Sequence, residues 1–266
     1  MKEATASKTH KPAHLSRKEE QRIIGRNACH AVFAARPGQI RKVYLQKELR
    51  AEFGKLLDLC VKTKIGFKIV SAEELQKISA SEHHEGVCVV ADRRDFLDQQ
   101  QICEALKSDL PKISILILDG VENPHNFGAI VRTAAYFGAG AVLVGSDSSL
   151  TISSAVYRTS EGGCEHTLLG KLSDLKKFLD WAREQGFSVY AAVPRSALRL
   201  GRSRLAAKSI VLLGAEREGL PARTVSMADR TISIPDSGTA GIDSLNVGVA
   251  ASIFLWEHAR VGGIKG

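Results

Sequence analysis

The sequence predicts an α/β protein of two domains, a small N-terminal one and a larger C-terminal one built on a mostly parallel sheet. Three observations carry this. Short β-branched segments alternate with helical apolar periodicity through both halves of the chain. Residues 113–118 form a near-continuous aliphatic run, which suits a parallel strand covered on both faces. Between the halves, residues 93–112 are polar, have room for one short helix, and read as a linker.

The elements follow in order. Residues 1–21 carry Lys2, Lys8, Lys11, Arg17 and Lys18 with almost no large apolar side chain, and are expected as a basic tail without a core of its own. The first domain is expected over 22–92: helix 27–35, strand 42–45, a helix with Phe53, Leu56, Leu57 and Cys60 inward, strand 68–70, helix 72–78 and a buried strand 87–91. The second domain is expected over 113–266. It starts with strand 113–118 and a helix near Asn126, capped by that asparagine. Strand 141–144, helix 152–160 and strand 166–169 follow. Next come the amphipathic helix 174–185, with Leu175, Phe178, Leu179 and Ala182 inward, and strands 188–193 and 209–213. The segment 231–234 reads as a central strand stopped by Pro235, and 247–260 as a helix apolar nearly all round.

Composition narrows the function classes. The chain has 266 residues, 44% hydrophobic and 25% charged, with a net charge of +8 that favours a polyanionic partner. No apolar run approaches the roughly 20 residues of a membrane span, so no membrane association is expected. Cys29, Cys60, Cys88, Cys103 and Cys164 are scattered and odd in number, as in a reduced cytoplasmic protein. His83, His84 and Glu85 are adjacent and point apart, so they are not read as a metal site, and none is expected elsewhere.

Three loops share one build, a strand running into glycine and polar residues and then a helix. The first is Asp119-Gly-Val-Glu-Asn-Pro-His-Asn126-Phe-Gly128, with Arg132 about two turns into the helix that follows. The second is Leu213-Gly214-Ala-Glu216-Arg-Glu-Gly219, where glycine lets backbone approach closely. The third runs from Ile234-Pro235 to Ser244-Leu245-Asn246 at the start of the apolar helix. Ser and Asn there are also ordinary helix caps. In α/β sheets ligands bind beyond the carboxyl ends of strands, which is where all three loops lie. Gly138-Ala-Gly140 stands after a helix and before a strand, the wrong context for a dinucleotide fingerprint, and no Gly-Lys-Ser/Thr P-loop occurs.

In order and wording, these loops resemble motifs one, two and three of the SpoU branch of the SPOUT RNA methyltransferases. The words are Asn-Pro-His-Asn-Phe-Gly-Ala-Ile-Val-Arg, Leu-Gly-Ala-Glu-Arg-Glu-Gly-Leu and Ile-Pro … Ser-Leu-Asn-Val. Residues 25–32 and 84–87 are similar to the substrate-binding domain of that family. The resemblance implies a SPOUT α/β domain with a deep trefoil knot, preceded by a small α/β substrate-binding domain. It further implies S-adenosylmethionine as cofactor, 2′-O-methylation of a ribose in structured RNA (tRNA or rRNA), and a homodimer whose sites draw on both subunits. It assigns catalytic roles to Arg132, Asn126, Glu216, Ser244 and Asn246, with Glu216 holding Arg132 or a substrate hydroxyl. It assigns cofactor contacts to Leu213, Gly214, Ile234 and Leu245. The third loop departs from the family pattern: Asp236 stands where methionine is usual, and the glycine stretch after it is longer. A non-catalytic RNA-binding protein on the same scaffold is the alternative this departure leaves open.

Overall fold

A computed structural model describes residues 20–107, 110–238 and 244–261. The N-terminal sheet has four strands: β1 (Glu20–Ile24), β2 (Ile40–Leu45), β3 (Gly66–Ile69) and β4 (Val87–Asp92), in the order β1-β4-β2-β3. β4 runs antiparallel to both neighbours, and β2 and β3 are parallel. The period of two in β4 sorts its side chains onto two faces. Val87, Val89 and Ala91 join α1 (Arg26–Ala35) and α2 (Gly54–Thr63), while Cys88 joins Leu75 of α3 (Ala72–Ser79). Ser71 and Glu74 close a capping box at the start of α3. The His83-His84-Glu85 loop is structural: His84 Nδ1 accepts the Gly86 N–H, and Glu85 accepts the Arg26 N–H that opens α1.

The second sheet is parallel throughout and six-stranded. It comprises β5 (Ile113–Asp119), β6 (Ala141–Gly145), β7 (Leu168–Leu172), β8 (Ser188–Ala192), β9 (Lys208–Gly214) and β10 (Arg230–Ile232), in the order β10-β8-β9-β5-β6-β7. The aliphatic run of β5 is covered on both faces. Leu116 and Leu118 pack under α5 (Pro124–Tyr136) and α9 (Val247–Val261). Ile115 and Ile117 face α7 (Leu175–Glu184), which buries Phe178, Leu179 and Ala182. Two short helices, α6 (Ser154–Thr159) and α8 (Ala222–Val225), fill the remaining connections.

Four expectations need correction. The basic tail ends sooner than residue 21, because Glu20 and Gln21 already pair with Asp92 and Ala91 in β1; residues 1–19 lie outside the described residues. The stretch 93–112 is more than a linker. Its helix α4 (Gln99–Leu106) buries Ile102 and Leu106 in the core of the second sheet, and Leu97 bridges to Gly170 beside β7. Helix α5 is capped by Asn123 with Pro124 in its first turn, three residues before Asn126. β10 is an edge strand, its continuation shielded where Ser233 exchanges backbone hydrogen bonds with Leu198 and Leu200 at 3.0 and 2.9 Å. The resemblance places a knot in the C-terminal segment, where residues 239–243 and 262–266 lie outside the described residues. Among the described residues no helix is long and apolar enough to cross a membrane.

A buried ionic cluster joins the two domains. Glu165, with a side chain 2% exposed, accepts hydrogen bonds from Arg36 Nε (2.9 Å), Tyr157 Oη (2.7 Å) and Arg94 Nη1 (3.0 Å). Arg36 also donates to Tyr157 Oη at 2.9 Å. Burial, with the Glu165 carboxylate beside it, pushes the Tyr157 phenol well above its ordinary pKa, so it stays a donor. Glu165→Ala strands two arginines that have lost their shared acceptor. It is expected to lower stability by about 3–5 kcal/mol in urea unfolding, the usual cost of breaking a buried pair. A loss below about 1 kcal/mol would mean that water screens the cluster.

Candidate active site

β5 and β9 are neighbours in the sheet, with Asp119 opposite Gly214, so the loops leaving their carboxyl ends lie side by side. The Thr224 hydroxyl, in α8, donates to Asp119 Oδ2 at 2.6 Å and ties the end of β5 to the segment after β9. Glu122 accepts the Ser149 N–H at 2.9 Å and holds the β5–α5 loop against the one after β6. The first and second glycine-containing loops are thus fixed side by side at the carboxyl edge of the sheet.

At that edge Asn126, Glu216 and Asn246 form one hydrogen-bonded cluster. Asn126 Nδ2 donates to Glu216 Oε1 at 2.9 Å, Asn246 Nδ2 donates to Asn126 Oδ1 at 3.1 Å, and Asn246 Nδ2 also donates to Glu216 Oε1. The remaining Asn246 oxygen accepts the N–H groups of Gly248 (2.9 Å) and Val249 (3.3 Å), so one side chain both caps α9 and holds the cluster. Residues 126 and 246 are 120 apart in the chain and meet only because the sheet brings them together. Glu216 and Asn246 are exposed and Asn126 is half-buried, so the cluster can meet a ligand from solvent. Ser244 and Leu245 are exposed beside it, and Leu213, the next-to-last residue of β9, is buried. Ile234 is half-buried just past β10.

The structure corrects one reading. Glu216 binds the two asparagines; the recorded ionic partner of Arg132 is Glu161, with Nη1 to Oε1 at 3.8 Å. Helix geometry explains the separation. Arg132 follows Asn126 by six residues of α5, which at about 100° per residue turns it roughly 240° around the axis and about 9 Å along it. Asn126 faces the carboxyl edge, and Arg132 faces the start of α1, with a side chain 61% exposed. Gly214 has a packing role that the sequence does not announce. A Cβ there would lie 2.2 Å from the carbonyl carbon of Gly219 and 2.3 Å from the Leu220 nitrogen. The space is taken by the loop folding back on itself, where Ala215 and Gly219 form an antiparallel bridge. Glycine is required for that fold-back, which places Glu216.

Sequence reasoning missed Glu161 and the Asn27 that donates to it at 2.8 Å. The available signal was the glycine pair Gly162-Gly163 after a short polar helix, which marks close approach of backbones.

Gly214→Ala is expected to cost about 1–3 kcal/mol, as overpacking does, and to free the segment 215–220. Thermal unfolding and limited proteolysis read both effects. An alanine variant with wild-type stability and an uncut loop would show that the fold-back tolerates a side chain.

Comparison with known proteins identifies the family. The model of the SpoU rRNA methylase family matches residues 114–256, and that of the RNA 2′-O ribose methyltransferase substrate-binding domain matches residues 22–97. The chain is 34% identical over 245 residues to the uncharacterized tRNA/rRNA methyltransferase YfiF of Escherichia coli O157:H7, covering 92% of this chain and 69% of that protein. It is 31% identical to the 23S rRNA (guanosine-2′-O-)-methyltransferase RlmB of Coxiella burnetii, covering 90% and 94%. Among solved structures, an RNA 2′-O ribose methyltransferase superposes with a TM-score of 0.72 at 26% identity, over 91% of this chain and 88% of that one. The SpoU methyltransferase AviRb of Streptomyces viridochromogenes, in complex with AdoMet, superposes with a TM-score of 0.75 at 20% identity over 93% of each chain, a likeness of fold. The chain therefore belongs to the SpoU rRNA methylase family, with the family's substrate-binding domain ahead of its methylase domain.

Proposed function

We propose that the chain transfers a methyl group from S-adenosylmethionine to a ribose 2′-hydroxyl in tRNA or rRNA, using the carboxyl edge of the six-stranded sheet. The observation that carries this reading is the Asn126–Glu216–Asn246 cluster, which unites one residue from each of three separate loops. Generic capping and turn chemistry accounts for each residue alone but not for their convergence.

The groups at this edge suit the cofactor. Backbone at Leu213 and Gly214 and after β10 at Ile234 offers donors and acceptors, Leu245 offers an exposed apolar face, and Glu216 offers a carboxylate. Those are the partners an adenine, ribose hydroxyls and a sulfonium need. When bound, S-adenosylmethionine supplies an electrophilic methyl group. The protein's part is to seat the ribose oxygen in line and to stabilise negative charge growing on it. Seating alone supplies several kcal/mol of an enzyme's barrier reduction. Glu216, fixed by two amides, orients ribose or loop, with Ser244 beside it. Arg132 stays protonated, as arginine does in proteins. Its role is to anchor phosphate and stabilise the forming alkoxide, and the proton leaves to another acceptor.

We further propose a homodimer in which Arg132 of one copy completes the cluster of the other. Two features support it. Arg132 and the cluster lie on different sides of α5 within one chain. Along their lengths α5 and α9 expose apolar groups: Tyr136 (82%), Trp256 (49%) and Val249 (48%). Tyr136 and Trp256 also line a hollow of about 580 Å³ with Phe137 and His258. Apolar surface of that kind on a monomer marks an interaction site. A first domain that starts with β1 and ends at Asp92, and a second that takes in α4 as well as the six-stranded sheet, are part of this reading, as is a cytoplasmic setting that keeps the thiols reduced.

Arg132→Ala is expected to lower methyl transfer by about 10²–10³, the cost of losing one preorganised donor, with S-adenosylmethionine affinity within twofold of wild type. Single-turnover assays on unmodified ribosomal and transfer RNA transcripts, with calorimetry for the cofactor, measure the two. Normal turnover in this variant, or a defect confined to cofactor binding, would remove Arg132 from the chemistry.

A further inference from the structure

Glu161 is the last residue before Gly162-Gly163, and its backbone is left-handed, with φ of 51°. That conformation follows the end of α6, where the Glu161 N–H bonds the Arg158 carbonyl at 3.1 Å. Glycine or asparagine is the usual occupant there, because a Cβ is disfavoured at positive φ. A glutamate holds the position here, and both of its carboxylate oxygens are engaged. Oε2 accepts Asn27 Nδ2 at 2.8 Å, from the first turn of α1 in the N-terminal domain. Oε1 faces Arg132 Nη1 at 3.8 Å, on α5 of the methylase domain.

The glycines behind it lock this segment between the same two helices. A Cβ on Gly162 would lie 2.5 Å from Ala31 Cβ and 3.1 Å from the Asn27 carbonyl oxygen. A Cβ on Gly163 would lie 3.1 Å from the Val131 carbonyl oxygen and 3.2 Å from Arg132 Cα. The segment 161–163 is therefore wedged between α1 and α5. The Glu165 cluster, four residues on, pins its far end to Arg36 and Arg94.

We infer that Glu161 is a positioning residue for Arg132, through which the substrate-binding domain sets the pose of the catalytic guanidinium. The inference rests on the reading that Arg132 acts in methyl transfer. An exposed arginine has many rotamers, and one surface ion pair is a weak restraint on it. This carboxylate is a better restraint than most, since a second hydrogen bond and a wedged backbone fix it in turn. Asn27 makes the restraint depend on where α1 sits, so a shift of the RNA-holding domain would be felt at Arg132 through one side chain.

The decisive variant is Glu161→Gly. Glycine adopts positive φ freely, so it relieves the backbone while deleting the carboxylate. The melting temperature is expected to hold or rise, while single-turnover methyl transfer to unmodified ribosomal and transfer RNA transcripts falls roughly 10- to 100-fold, as misplaced catalytic groups do. Affinity for RNA and for S-adenosylmethionine stays within twofold. Asn27→Ala is expected to reproduce a smaller part of the rate loss, and the double variant to be no slower than Glu161→Gly alone, because both act through one contact. Wild-type turnover in Glu161→Gly overturns the inference. So does a rate loss that tracks a lower melting temperature or weaker RNA binding, or a double variant slowed by the product of the two single losses. Arg132→Ala separates the layers: if it is inactive while Glu161→Gly is normal, only the positioning role fails. If Arg132→Ala is itself fully active, the reading beneath it fails.

Discussion

The pairing of β5 with β9 is the constraint on which the site depends. These two parallel strands, neighbours in space but separated by three other strands in the chain, run in register up to Asp119 and Gly214. Their register sets the relative height of the first and second loops to within one residue. Thr224 bonding Asp119 and the fold-back at Gly214 then bring Glu216 within hydrogen-bond reach of Asn126. Asn246 joins from the third loop and begins α9 in the same stroke, so the helix that covers one face of the sheet starts where the cluster is. A slip of this strand pair would dismantle the site, since in a sheet a one-residue shift moves every side chain to the other face.

The domain interface obeys a different physics. It is built from a few charged groups, of which the buried Glu165 cluster is costly to break and the more exposed Glu161 contacts less so. Glu165 gathers Arg36, Arg94 and Tyr157, and Glu161 gathers Asn27 and Arg132. Between these two carboxylates lie Gly162 and Gly163, where backbones approach too closely for any side chain. The interface thereby holds the substrate-binding domain at a fixed place relative to α5, the helix that carries Asn126 on one side and Arg132 on another.

Much of this was legible in the sequence because it is local. The aliphatic run of β5, the amphipathic stripe of α7 and the glycine-flanked loops each announce themselves within a dozen residues, and the resemblance to SpoU enzymes rests on words equally short. The misses have the opposite character. β1 is a five-residue strand whose polar start (Glu20-Gln21-Arg22) hides its pairing with β4. β10 reads as central from its β-branched residues, yet strand order in a crossover sheet is not sequence order, and it lies at the edge. The resemblance leaves Glu216 holding either Arg132 or a substrate hydroxyl. Only helical geometry shows that Arg132 faces elsewhere, toward a glutamate with no motif around it. Long-range ionic pairs such as Arg36 with Glu165, 129 residues apart, leave no periodic signal at all.

The central claim is that a catalytic site is completed across two copies of the chain, the cluster from one and Arg132 from the other. Co-expression of differently tagged Arg132→Ala and Glu216→Ala chains, followed by tandem purification of the mixed dimer, tests it directly. Each single variant is inactive as a homodimer on this account. In the mixed dimer one site pairs an intact Arg132 with an intact Glu216, so methyl transfer to the RNA transcripts should return to about half of the wild-type rate per dimer, as expected if its two sites act independently. A mixed dimer as inactive as its parents, or a chain that stays monomeric, would contradict the claim and return Arg132 and the cluster to one subunit.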